Sequence, residues 1–370
     1  MKVLILSCNT GGGHNAAAKA IMEQLQENGD EAVFLDYLRL AGQNVSNIVG
    51  NAYIKVVQKV PKLFGVVYQI GMFVSKHIKK SPVYYINGKM AKYLDAYMRE
   101  NPVDAIVMPH LYPAETITYM KKHGMKLPLT IAVMTDYTCI PFWEETDCDY
   151  YIVPHRELKD ACVKRGLPEE KLLCCGIPVS TNFNKNISKA AAREKLNLAP
   201  HEKYILIAGG SMGAGNLLSL SEQLLKTCTD EKIIIVCGSN HKITSKIKKK
   251  LGHNPRITII GYTSHMYLYL YACDILFSKP GGLTSTEAAV AGIPLVHTNP
   301  IPGCETVNRE FFVTHGMSIS ASTGKAQIAR GVELMQNSNR IKKMQHMQKL
   351  NVNAHAARDI CNMIHSFIDN

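Results

Sequence analysis

Ten short apolar runs, set in two series and separated by helical stretches, constrain this chain more than any other feature. The first series is Val3–Leu6, Ala32–Leu35, Ala105–Met108, Leu129–Met134 and Tyr151–Val153. The second is Tyr204–Ala208, Ile233–Cys237, Ile257–Ile260, Ile275–Phe277 and Leu295–His297. Runs this short and this apolar read as strands buried on both faces. Strands alternating with helices of about 10–15 residues make parallel sheets covered on either side. Two series predict an α/β protein of two Rossmann-like domains. The boundary is expected in Pro178–Ala191, where Pro, Asn, Ser and Lys cluster. That gives residues 1–185 as the first domain, 186–350 as the second, and 351–370 as a terminal helix with Val352–Ile368 as its body.

The length of 370 residues allows two to three domains of ordinary size. With 46% hydrophobic and 19% charged residues the chain is globular. Its longest uncharged apolar stretch, Leu63–Ser75, contains Gln69 and falls short of the roughly 18–20 residues of a spanning helix. That argues against a spanning protein and leaves open one that touches a membrane. Met1–Cys8 reads as a first buried strand, because its apolar run is too short for a signal core and a glycine loop follows at once. The eleven cysteines are odd in number and include no Cys-x-x-Cys pair or zinc-ligand spacing. This usage fits a cytoplasmic protein, with no cysteine assigned to a metal or disulfide and Cys174-Cys175 expected in the core.

Charge is unevenly spread. Positions 37–94 hold no Asp or Glu but contain Arg39, Lys55, Lys59, Lys62, Lys76, Lys79, Lys80, Lys89 and Lys92, which is most of the net +12. Aromatics, among them Phe64, Tyr68 and Phe73, are interleaved. On a helical wheel Lys55, Lys59 and Lys62 share one face, and Val56, Val57, Val60, Leu63 and Phe64 the opposite one; Pro61 kinks or ends that helix. This is the pattern of a helix lying on an anionic membrane surface. A plain basic surface helix is the second reading. Nucleic acid is last, because no recognition motif accompanies the charge.

Three glycine-rich loops follow strands and open helices. The first is Thr10-Gly11-Gly12-Gly13-His14-Asn15; it matches neither a dinucleotide fingerprint nor a P-loop. His14 at such a turn is placed as a general base, although a lone histidine is more often a structural hydrogen-bonder. The second is Gly209-Gly210-Ser211-Met212-Gly213-Ala214-Gly215, and the third is Lys279-Pro280-Gly281-Gly282-Leu283-Thr284. Both present backbone N–H groups and a helix start to a diphosphate. Glu287 suits a ribose diol or, more plainly, a first-turn dipole partner. In Pro302-Gly303-Cys304-Glu305-Thr306-Val307-Asn308 a carboxylate and an amide three residues apart suit sugar hydroxyls.

These residues together resemble the glycosyltransferase family of plant monogalactosyldiacylglycerol synthase and the bacterial processive diacylglycerol glucosyltransferases, near the peptidoglycan transferase MurG. The matching segments are Thr10–His14, Met134-Thr135-Asp136-Tyr137, Val236–Asn240, Ala272-Cys273-Asp274, Lys279–Thr284, Glu287-Ala288, Pro302–Glu305 and Asn308. They run from the first residues to about 320. The resemblance implies the GT-B fold, with a lipid-acceptor domain, a UDP-sugar domain, the active site between them, and a last helix that crosses back to the first domain. It also implies peripheral attachment to the cytoplasmic membrane face. The family usually has Gln where this chain has Cys304. After His14 this chain has Asn15-Ala16-Ala17 and lacks the Pro typical of the peptidoglycan enzyme, which favours a glycerolipid acceptor.

The expected reaction is therefore inverting transfer of glucose or galactose from a UDP-hexose to the free hydroxyl of diacylglycerol. His14 is the base, and Asp136 orients it or takes over its role. The donor set is Gly12, Gly13, Gly210, Ser211, Met212, Gly213, Asn240, Gly261, Tyr262, Gly281, Gly282, Leu283, Thr284, Glu287, Cys304, Glu305 and Asn308. Lys55, Lys59, Lys62, Phe64, Tyr68 and Phe73 face acceptor and membrane. The scheme uses no cofactor and no metal. Its partners are an anionic membrane surface, with an anionic phospholipid as candidate activator, and no nucleic acid. Three alternatives stay open: N-acetylglucosamine transfer to an undecaprenyl-linked acceptor, a UDP-sugar 2-epimerase, and a sensor that binds without turnover.

Overall fold

A computed structural model describes residues 1–9, 11–50, 61–185 and 187–369. Lys55 and Lys59 lie outside these residues, as do the side chains of Lys62 and Phe64. The chain forms two compact units, one of Met1–Thr181 with His355–Asn370, the other of Asn182–Ala354.

The first unit is built on a parallel six-stranded sheet in the order β2-β1-β3-β4-β5-β6. Its strands are β1 (Lys2–Ser7), β2 (Glu31–Asp36), β3 (Ala105–Met108), β4 (Leu129–Val133), β5 (Tyr150–Ile152) and β6 (Leu172–Leu173). Strand side chains alternate between faces, so the apolar runs supply two cores. Val3, Ile5, Val107, Ile131 and Val133 pack against Ile21 and Leu25 of the helix Gly12–Glu27 and against Ile360 and Ile364 of the helix Ala356–Ile368. Leu4, Leu6, Ile106, Met108 and Ala132 pack on the other side against Leu94, Leu111, Ala114 and Ile117. The terminal helix is tied further by Phe367 stacked on Tyr150, ring centroids 4.0 Å apart, and by His365 Nε2 3.0 Å from Asp30.

The second unit holds β7 (Tyr204–Ala208), β8 (Lys232–Val236), β9 (Ile257–Ile260), β10 (Ile275–Ser278), β11 (Leu295–His297) and β12 (Ile319–Ser320). These are parallel, in the order β12-β11-β10-β7-β8-β9. In both sheets the chain reverses direction across the sheet at one place, between β1 and β3 and between β7 and β10. Loops at the carboxyl ends of strands there diverge and leave a crevice where ligands bind in open α/β sheets.

Three sequence expectations need correction. The edge strands β6 and β12 were not anticipated; at two residues each they are too short to register as apolar runs. Cys174 is exposed and Cys175 only partly buried, because they follow edge strand β6, which has a neighbour on one side only. The terminal helix begins at Ala356, four residues later than expected, because Val352 is extended and closes the helix Ser338–Asn351.

Candidate functional site

In the first unit the site gathers at the carboxyl ends of β1, β3 and β4. The helix Gly12–Glu27 starts directly after Gly11, a cap residue with no side chain to offer. Gly12, Gly13 and His14 therefore form a first turn whose N–H groups point out of the helix end. His14 Nδ1 lies 2.8 Å from the carbonyl oxygen of Pro109, which follows β3, and 2.8 Å from Oγ1 of Thr135, which follows β4. A carbonyl oxygen only accepts, so Nδ1 carries the proton and Nε2 of the neutral ring keeps its lone pair. The ring meets His110 edge-on at 4.6 Å, and His110 Nδ1 accepts a hydrogen bond from the Tyr112 N–H at 3.1 Å. Burial pulls His14 below the ordinary imidazole pKa; the Asp136 charge and the Pro109 bond act in the opposite direction. His110 is held neutral more strongly, by burial and by its neighbour His14. The balance leaves His14 an unprotonated base at neutral pH, as proton abstraction requires.

Asp136 thus acts on His14 through its charge, while Pro109 and Thr135 hold the ring. Pro109, His110 and Thr135 did not emerge as site residues from the sequence. They lie 95 to 121 residues from His14 and meet it only because β1, β3 and β4 are neighbours. Thr135 falls in the matching segment Met134–Tyr137, while for Pro109 and His110 the one available signal was their place just past an apolar run.

In the second unit the loops after β7 and β8 interlock. Gly213 has φ +56° and Gly238 φ +58°; a Cβ on Gly213 would collide with the Cys237 carbonyl, and one on Gly238 with the carbonyls of Gly210 and Ser211. Ser239 N–H donates to Ser211 O at 2.8 Å, and Asn240 Nδ2 donates to Gly213 O at 3.2 Å. Asn240 Oδ1 accepts from the Ile243 N–H at 3.1 Å and so caps the helix His241–Leu251. Both ends of the Asn240 amide therefore shape the loop.

The loop after β10 is tied to the helix Cys304–Thr314. Asn308 is fully buried and donates to Pro280 O at 3.1 Å. Glu305 accepts from the Ile301 N–H at 2.9 Å through one oxygen and pairs with the Lys279 ammonium through the other. Glu305 and Asn308 do share a face, and these contacts brace the two loops. Lys279, absent from the donor set read from sequence, is the residue that joins them. The helix Gly282–Ala291 has glycine at its cap and no side-chain cap among the described residues, so its first N–H groups, at Gly282, Leu283 and Thr284, are left without one. The Leu283 side chain is buried. Glu287, one turn on, has no hydrogen-bond partner among the described residues, and burial alone pushes its carboxyl up to about 7. Gly261 lies near Gly238, Tyr262 is exposed, and Cys304 is partly exposed at its helix start.

The helix Pro61–His77 presents Leu63, Val66, Val67, Ile70 and Phe73 to solvent, with Phe73 65% exposed. Tyr68 is half-buried. Ser75 Oγ on this helix accepts hydrogen bonds from Arg165 Nη2 at 2.6 Å and the Phe142 N–H at 3.2 Å. Among the described residues no helix is long and apolar enough to cross a membrane.

Residues 14–179 match the family model of monogalactosyldiacylglycerol (MGDG) synthase, and residues 188–353 match that of glycosyl transferases group 1. The first unit thus carries the MGDG synthase domain and the second a group 1 glycosyltransferase domain. The processive diacylglycerol beta-glucosyltransferase of Staphylococcus carnosus (strain TM300) is 26% identical over 356 residues, covering 95% of this chain and 89% of the relative. Among solved structures, MurG of Acinetobacter baumannii aligns with a TM-score of 0.62 at 17% identity, over 99% of both chains. A UDP-GlcNAc 2-epimerase of Neisseria meningitidis bound to UDP-GlcNAc aligns with a TM-score of 0.63 at 14% identity, over 99% of this chain and 100% of that one. The fold is thus the GT-B α/β fold. Because transferase and epimerase share it, fold alone does not separate the two reactions; the MGDG synthase match covers the unit that carries His14.

Proposed function

We propose that this chain transfers glucose from UDP-glucose to the free hydroxyl of diacylglycerol at the inner face of a membrane. The observation that carries the reading is the state of His14. Its Nδ1–H is engaged by Pro109 O and its pKa is lowered, within the unit that matches MGDG synthase. Nε2 of His14 takes the proton of the acceptor hydroxyl as that oxygen bonds to the anomeric carbon. The bond from that carbon to the UDP oxygen breaks, with inversion, and UDP leaves with one more negative charge. N–H groups at the uncapped start of the helix Gly282–Ala291, together with those of the loop Gly209–Gly213, suit that charge. The Glu287 carboxylate suits the two hydroxyls of the ribose. Glucose is preferred over galactose because the S. carnosus relative is named a glucosyltransferase.

Membrane contact through the helix Pro61–His77 is part of the same reading. Its exposed stripe of Leu63, Val66, Val67, Ile70 and Phe73 is followed by the exposed Lys76 and Lys79, a pairing of apolar face and positive charge that fits an anionic bilayer surface.

The test is turnover by purified protein on liposomes of diacylglycerol and anionic phospholipid, with UDP-glucose, UDP-galactose and UDP-N-acetylglucosamine offered separately and lipids read by mass. Hexosyl-diacylglycerol formed fastest from UDP-glucose is the expected result; a series of two or more hexoses would add repeated transfer. Faster galactosyl transfer overturns the donor. Release of an epimer from UDP-N-acetylglucosamine without glycolipid overturns the reaction.

A further inference from the structure

Lys279 is the first residue after β10, at the point where the second sheet reverses direction. Its side chain is 13% exposed and pairs with Glu305, itself 9% exposed. Lys279 lies against both glycine loops that flank the reversal. A Cβ built on Gly210 would stand 3.2 Å from Lys279 Cε and 3.8 Å from its Nζ; one built on Gly281 would stand 3.3 Å from the same Nζ. A side chain on either glycine would therefore crowd the ammonium, and hydrogen there leaves it room to face whatever the two loops hold. Backbone N–H groups supply partial charges. Lys279 adds a full positive charge at the same place, and Glu305 keeps that charge compensated while no anion is present.

We propose that Lys279 is the leaving-group cation of this transferase. Its ammonium contacts the diphosphate of the donor and takes up the negative charge that develops as the bond to the sugar breaks. The inference rests on the reading of the donor as a UDP-sugar. A cation that acts on developing charge contributes to turnover as well as to binding, and one that contacts the diphosphate distinguishes UDP from uridine.

The experiment compares wild type with Lys279→Gln and Lys279→Arg, each first checked for an unchanged thermal transition. Binding of UDP, UMP and uridine is measured by calorimetry, and turnover with UDP-glucose on diacylglycerol liposomes. Lys279→Gln should weaken UDP by about 10–100-fold, the scale of one charged hydrogen bond, and leave uridine within about 3-fold. Its kcat should fall at least as far, and Lys279→Arg should recover part of both. Equal weakening of UDP and uridine would show that Lys279 only braces the loops through Glu305 and would overturn the proposal; so would unchanged UDP affinity. If Lys279→Gln does not fold, Lys279→Arg alone decides: uridine affinity lowered as much as UDP affinity is then the overturning result. Wild type that binds no UDP would sink the donor reading itself, and this inference with it.

Discussion

His14 Nδ1 and the carbonyl oxygen of Pro109 stand 2.8 Å apart, and that contact decides which nitrogen of the imidazole is free to act. The carbonyl fixes the proton on Nδ1, so the basic lone pair is on Nε2. Removing the base should leave donor binding nearly intact. His14→Ala is expected to lower kcat by about 10²–10⁴-fold, the usual size of a general-base contribution, with UDP affinity changed by less than about 3-fold. Turnover of the variant near that of wild type would remove His14 from the role.

Asp136 raises the His14 pKa while burial lowers it. The neutral ring is the active form, so the rate rises with pH through the His14 pKa, which lies below the ordinary imidazole value. Asp136→Asn removes the raising influence. The acid limb of the kcat/KM profile should then move to lower pH, measured at saturating acceptor. A limb that moves upward, or stays in place, would show that the Asp136 charge does not reach the base.

Burial pushes the Glu287 carboxyl up to about 7, and only its ionised form can accept from both hydroxyls of a diol through its two oxygens as a charged acceptor. KM for the UDP-sugar should therefore fall as pH rises through 7, and kcat should follow a different profile. Glu287→Gln should raise KM and flatten its pH dependence. A KM for wild type that is constant between pH 6 and 8 would separate Glu287 from the donor.

Ile70 and Phe73 are exposed on the helix Pro61–His77, 57% and 65% respectively. The double variant Ile70→Asp, Phe73→Asp should lose sedimentation with anionic liposomes and keep activity on a short-chain diacylglycerol dispersed in detergent. Binding of wild type should weaken as salt rises. Retained sedimentation of the double variant would place the contact elsewhere.

Ile364 is fully buried on the helix Ala356–Ile368, against the face of the first sheet that carries Val3, Ile5 and Ile131. Ile364→Ala should cost about 2–4 kcal/mol in urea unfolding of the unit that contains β1. A loss below about 1 kcal/mol would mean that the helix adds little to that core.

The strands were legible because each central one is buried on both faces, and short continuous apolar runs such as Ile205–Ile207 and Leu4–Leu6 mark that setting. Their ends were less so. Met134, Val153 and Cys237 continue the apolar runs but sit one residue past the ladder, where the chain turns toward the site. Glycine loops and His14 were legible because their chemistry is local. Pairings across the sheet were not: His14 with Pro109, or Lys279 with Glu305, depend on strand order and helix packing, which no local pattern reports. For the same reason the hydrogen bonds of the Asn240 and Asn308 amides to the backbone of Gly213 and Pro280 were not foreseen. Cys174 misled because an edge strand carries the same apolar letters as a central one.

The return of residues 355–370 to the first unit makes the second unit an insertion within the first. During synthesis, residues 1–181 emerge early but lack one of the two helices that pack on Val3, Ile5 and Ile131 until the whole of 182–354 has followed. The unit that begins first is completed last. An apolar sheet face covered only in part, by the helix Gly12–Glu27, waits through that interval, which is the period when a nascent chain of this design is most in need of a chaperone.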